Sequence, residues 1–148
     1  MGLTDKEFNK ADRRIKALVR KWVRPIGLGW WKVSVSVYRS ETEMPVTGNA
    51  QQADPQWTRA MSTHVSWAYR DAKINVNGEY ALNAKDSDLE NSFLHELGHI
   101  FVNEMRSLPR NADSFSNNWI EHEEHVCSAL ASAFEWIYRA GVDAGKKN

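Results

Sequence analysis

The stretch His95-Glu96-Leu97-Gly98-His99 constrains this chain more than any other. Two histidines four residues apart stand one turn apart on the same face of an α-helix, where both imidazoles can reach one metal ion. Glu96 then lies beside that ion, placed to take a proton from a bound water. Zinc suits the arrangement because it accepts neutral imidazole nitrogens and tolerates an open fourth position, where it lowers the pKa of water to about 7. The flanking Phe93, Leu94, Leu97, Ile100 and Phe101 are apolar, and Glu96 is the only Asp, Glu, Lys or Arg between Ser92 and Val102. That is the pattern of a core helix. Two incidental histidines on such a helix would need hydrogen-bond partners, because burying polar groups unpaired is costly.

At 148 residues the chain fits a single domain over 1–148 with its own hydrophobic core. Its 19 Lys and Arg balance 19 Asp and Glu, which gives no sign of a general nucleic-acid or membrane-surface binder. The single cysteine, Cys127, excludes an intramolecular disulfide framework and a cysteine zinc knuckle. The N-terminus is charged and amphipathic without the apolar stretch of a signal peptide, and no apolar run approaches membrane-spanning length. The expectation is a cytoplasmic protein with neither nucleic acid nor membrane as partner.

Thr4-Asp5-Lys6-Glu7 has the form of a capping box. It opens a helix whose apolar residues Phe8, Ala11, Ile15, Leu18, Val19 and Trp22 recur at helical spacing, with Lys and Arg opposite. That helix ends before Pro25. A nucleic-acid contact on its basic face would need a second basic patch beside it. Alternation of valine with polar residues predicts a strand over Trp31–Tyr38. A loop follows from Glu41 to about Gln56, then a strand over Ser62–Arg70 and a third over Ala72–Asn77, ended by Asn77-Gly78. His64 reads as a strand-surface residue. The third strand lies shortly before the metal helix, and an edge strand in that place can bind an extended peptide by backbone pairing. Ser87-Asp88-Leu89-Glu90 reads as a second capping box opening the metal helix, whose buried stripe is Leu89, Phe93, Leu97, Ile100 and Phe101. A loop is predicted from Ser107 to Asn118. A final helix runs from Trp119 to about Ala140, stopped by Gly141, with Val126, Leu130, Ala133, Phe134 and Ile137 inward and Lys146–Asn148 a frayed tail.

A catalytic zinc needs a third protein ligand, and the candidates lie in Glu121-His122-Glu123-Glu124-His125. Periodicity mildly favours Glu123, whose face continues through Val126, Cys127, Leu130, Phe134 and Ile137. Glu124 is followed on its own face by the small residues Cys127, Ser128 and Ala131, which would let the two helices approach closely. Periodicity leaves both open. Glu121, His122 and His125 read as first-turn surface residues; His122, His125 or Tyr80 are alternative oxyanion donors, and either histidine an alternative ligand. Cys127 reads as a small packed residue.

Together, His95–His99 and the run from Glu124 to Ala131 resemble the gluzincin class of zinc metallopeptidases, closest to the small cytosolic or phage-borne IrrE/ImmA-like peptidases and minigluzincins. The resemblance covers roughly residues 72–140. It implies an α+β, zincin-like fold: an N-terminal helix, a small three-stranded sheet, the His-Glu-x-x-His helix, and a C-terminal helix carrying the third ligand. It also implies Zn²⁺ held by His95, His99 and Glu124, since a small residue usually stands three positions after the ligand and an apolar-Ala pair six and seven after. Those places are Cys127, Leu130 and Ala131 here. Four after the ligand the class has an acid or amide; Ser128 departs from this, and a serine orients an imidazole more weakly than a carboxylate does. The metzincin pattern is absent, because no histidine lies between His99 and His122. The activity implied is hydrolysis of a peptide or protein substrate by a zinc-bound water activated by Glu96. The alternative is a regulatory or binding module that holds zinc on the same scaffold and cleaves little; an intact Glu96 argues against it, since a structural site needs no base.

Overall fold

The computed structural model describes residues 2–45, 59–107 and 117–145. These residues form an α+β arrangement of four helices and one small mixed sheet. In chain order they are α1 (Asp5–Trp22), β1 (Lys32–Tyr38), β2 (Met61–Ser66), β3 (Asp71–Asn77), α2 (Gly78–Asn83), α3 (Asp86–Ser107) and α4 (Asn117–Gly145). The strand order is β1-β3-β2, with β1 parallel and β2 antiparallel to β3. No described helix is long and apolar enough to cross a membrane.

The capping box at Thr4 forms as the sequence predicts: the Thr4 hydroxyl accepts the Glu7 N–H, and the Glu7 carboxylate accepts the Thr4 N–H. The apolar face of α1 then buries Ala11, Ile15 and Trp22. Strand alternation sets the two faces of the sheet. Ala72, Ile74 and Val76 of β3 join Phe93, Leu94 and Leu97 of α3 in the core, while Ser34, His64 and Lys73 stand on the opposite face. Fully burying each large side chain contributes roughly 1.5–3 kcal/mol, so this cluster is what fixes α3, and the motif it carries, against the sheet.

Several boundaries differ from the sequence reading. The second strand stops at Ser66, and Trp67–Tyr69 forms a 3-10 turn followed by Arg70 in the left-handed region (φ 48°), because the chain must reverse into β3 within a few residues. The third strand is the central one, so it offers no free edge; the edge strand packed against α3 is β2. Asn77 and Gly78 do not merely end β3. The Asn77 side chain accepts the Glu79 and Tyr80 amides and caps the short helix α2. A side chain at Gly78 would meet the Tyr38 carbonyl oxygen at 2.5 Å, which only glycine avoids.

The second capping box is not formed. Leu89 N–H donates to the Lys85 carbonyl, so Ser87 already lies in the first turn of α3. The junction is held instead by Arg14 of α1, whose guanidinium donates to the carbonyls of Ala81, Leu82 and Ala84 and to the Asp86 carboxylate. Gly141 does not stop the last helix, which runs on to Gly145; one glycine in a helix interior costs about 1 kcal/mol and does not by itself end it. Nor does α4 bury the stripe expected. Cys127 and Ala131 are fully buried and Leu130 and Phe134 partly so, while Ala133, Val126 and Ile137 (60% exposed) face outward, as does Trp136. Phe101 is likewise partly exposed, against the Phe134 ring. Of the two predicted loops, a 3-10 turn at Glu41–Glu43 is described, whereas 46–58 and 108–116 lie outside the described residues, as does the tail 146–148.

Candidate metal centre

His95 and His99 stand one turn apart on α3, with ring centroids 4.9 Å apart. The α3 helix carries them on the face turned toward α4. There Gly98 lies against the α4 backbone: a methyl group added to it would sit 3.1 Å from the Cys127 Cα and 3.3 Å from its carbonyl oxygen. The small residues on the Glu124 face thus do what the sequence suggests and bring the two helices close.

That approach resolves the two glutamates. The Glu124 carboxylate lies 2.8 Å from His95 Nε2 and 3.4 Å from His99 Nε2. Glu123 lies on the other side of the second ring, 2.9 Å from His99 Nδ1. Their exposures differ accordingly: the Glu123 side chain is 10% exposed and that of Glu124 51%. Ser128 Oγ is 3.2 Å from His95 Nδ1. Each imidazole therefore presents Nε2 to Glu124 while its far nitrogen is engaged by α4, the arrangement that fixes ring orientation in metal sites. One ligand atom from each of His95, His99 and Glu124 lies within 4.8 Å of the others. Two imidazoles and one carboxylate, open to solvent on the Glu124 side, fit the donor set of a catalytic zinc.

Glu96 points away from solvent toward β2. Thr63 Oγ1 donates to its Oε2 at 2.6 Å. Burial raises the Glu96 pKa above the ordinary carboxylate value, opposed by the Thr63 bond and by the two histidines. For His99, burial alone would lower the pKa, but contacts with Cys127 and Glu123 and the charge of Glu96 outweigh it and push it up to about 10.

The other candidates are not brought to the cluster. His122 and His125 are exposed, His64 lies on the outer face of the sheet, and the Tyr80 hydroxyl is paired with Ser92 Oγ at 2.7 Å and near the Asp88 carbonyl. The Glu121 side chain lies outside the described residues. Cys127 is buried and forms no disulfide, and its thiol packs against His99. Thr63 carries no motif of its own; the only signal is that a polar residue stands on the valine face of an alternating strand. No protein-family model matches the chain, and neither curated proteins nor solved structures return a match.

Proposed function

We propose that the chain is a zinc metallopeptidase with a minimal, zincin-like gluzincin fold, hydrolysing a peptide bond in a cytoplasmic peptide or protein substrate. The observation that carries this reading is the convergence of His95 Nε2, His99 Nε2 and the Glu124 carboxylate beside a buried glutamate. A zinc ion held there supplies a Lewis acid and lowers the pKa of water to about 7.

The chain's own residues do the rest. Thr63 occupies Oε2 of Glu96 and leaves Oε1 to take a proton from the attacking water. As water adds to the scissile carbonyl, Glu96 holds that proton and then delivers it to the leaving nitrogen. The C–N bond breaks, and the new carboxyl group passes its remaining proton to the released amine, leaving a carboxylate and an ammonium. Burial keeps Glu96 a stronger base than a solvated carboxylate. Ser128 and Glu123 keep the two rings from rotating. The outer edge of β2, unpaired among the described residues and beside α3, offers backbone groups to an extended substrate.

Elemental analysis of the purified chain, with a peptide-library cleavage assay, tests the reading. About one zinc per chain is expected, lost in Glu124→Ala. It should persist in Glu123→Ala with affinity weaker by about 10- to 100-fold, as for an outer partner of a ligand. Glu96→Gln should keep zinc and lose cleavage. A fully active Glu96→Gln chain would sink the mechanism, and a zinc-free wild type after reconstitution would sink the metal.

A further inference from the structure

The charges that cancel over the whole chain do not cancel on α1. Lys6, Lys10, Arg13 and Arg20 fall within one narrow stripe of α1 at heptad-like spacing and Arg24 follows in the turn just past its end; all five are exposed, and none forms an ion pair among the described residues. The acids of α1 are engaged by residues outside that stripe, Asp12 included although it lines one hollow with Lys6 and Arg13. Asp5 pairs with Arg39, Asp12 with Lys16, and Glu7 closes the capping box. The stripe runs the length of the 18-residue helix, about 27 Å at 1.5 Å per residue.

A second patch adjoins its C-terminal end. Arg24 lies over Gly29, and the next residue, Trp30, is 84% exposed. Tyr69 is equally exposed. The two rings leave neighbouring strands at the same end of the sheet, because Lys32 N–H donates to the Arg70 carbonyl at 2.8 Å and Lys32 and Asp71 are register partners. The left-handed Arg70, beside Tyr69, is itself exposed and forms no ion pair among the described residues. No other large apolar side chains of the described residues are as exposed as these two.

We propose that this face binds single-stranded nucleic acid, with the α1 cations along the phosphates and Trp30 and Tyr69 stacked on unpaired bases. Unpaired cations in a row match a polyanion, and exposed rings beside them match bases with free π-faces. A duplex offers phosphates but keeps its bases stacked. A membrane-surface helix needs its apolar face free for the lipid, and that of α1 is buried in the core. None of the residues proposed to bind nucleic acid belongs to the His95, His99 and Glu124 cluster.

The test is fluorescence anisotropy of the full-length chain with a labelled oligothymidylate of about 15 nucleotides, within the range of single-strand site sizes. Five phosphate contacts predict a slope of about −3.5 for log affinity against log salt. Lys10→Glu with Arg13→Glu should weaken binding at least about tenfold and flatten the slope by about 1.4, two contacts' worth. Trp30→Ala and Tyr69→Ala should each weaken it by roughly five- to a hundredfold, the usual stacking contribution. All four positions are exposed, and circular dichroism checks that the variants remain folded. No binding at low salt, binding indifferent to these substitutions, a duplex of the same length bound as well, or binding only to phosphatidylserine vesicles would each overturn the proposal.

Discussion

Replacing Gly98 by alanine tests whether the contact between α3 and α4 sets the metal geometry. The added Cβ would lie 3.1, 3.2 and 3.3 Å from Cys127 Cα, Cβ and O, inside the roughly 3.5–4.0 Å of favourable carbon contacts. Two of these neighbours are backbone atoms, so relief requires α4 to retreat by a few tenths of an ångström. On stability two effects oppose each other. Alanine gains about 1 kcal/mol over glycine in a helix interior, and overpacking costs about 1–3 kcal/mol. The net is a loss of about 0–2 kcal/mol. On the site nothing opposes the shift, because Glu123, Glu124 and Ser128 all ride on α4 next to the contact. A metal site tolerates about 0.5 Å of displacement, so a retreat of a few tenths uses most of that margin and zinc affinity should fall by up to about tenfold. Gly141→Ala is the control: it lies in α4 with nothing within 4 Å of a new Cβ. It should gain up to about 1 kcal/mol and bind zinc as the wild type does. Urea melts of the metal-free proteins and zinc competition with a chromogenic chelator give both quantities. If Gly98→Ala behaves like Gly141→Ala in both, the crossing does not govern the site.

Three further outcomes follow from the same geometry. Thr63→Val removes the bond that holds the Glu96 pKa down, so a base that must be deprotonated titrates higher; the acid limb of kcat/KM should move to higher pH, and an unmoved limb would show that Thr63 does not tune the base. His99, held up to about 10 in the metal-free protein, must lose its proton to bind zinc. Zinc uptake near neutral pH should therefore release about one proton, visible as buffer-dependent heats in titration calorimetry, with affinity rising up to about tenfold per pH unit; buffer-independent heats would contradict the raised pKa. By the same shift, the imidazolium's contribution to metal-free stability is full below pH 6.5 and is lost as pH rises through about 10, which melts at pH 6 and pH 10.5 should show.

The α1 boundary, the valine strand and the metal helix were legible because each rests on local chemistry: a reciprocal cap, a period of two, apolar flanks around two histidines. The α4 register was not. Its largest apolar residues suggested an inward face through Val126 and Ile137, yet the inward face is the one with small residues, Cys127 and Ala131, where Gly98 requires close approach. Volume gave way to distance. The same fact explains why periodicity could not choose between Glu123 and Glu124: both engage the histidines, from opposite sides of the His99 ring. The β1–β3 pairing and the Thr63–Glu96 bond join residues more than thirty positions apart in the chain, which no local pattern encodes.

The helix that carries the third ligand is 29 residues long, about 43 Å, but it is seated on a seam of small side chains and shows Trp136 and Ile137 to solvent. Among the described side chains of α4, 122–142, only Cys127 and Ala131 are fully buried. The α4 amides should then exchange with deuterium well before those of α3, opening as a unit of their own below the global unfolding free energy. A bound ion gripped from both helices would couple that unit to the rest. Each tenfold rise in free zinc above its dissociation constant adds about 1.4 kcal/mol to the opening cost. The last helix would behave as a latch whose strength is set by metal supply rather than by its own packing.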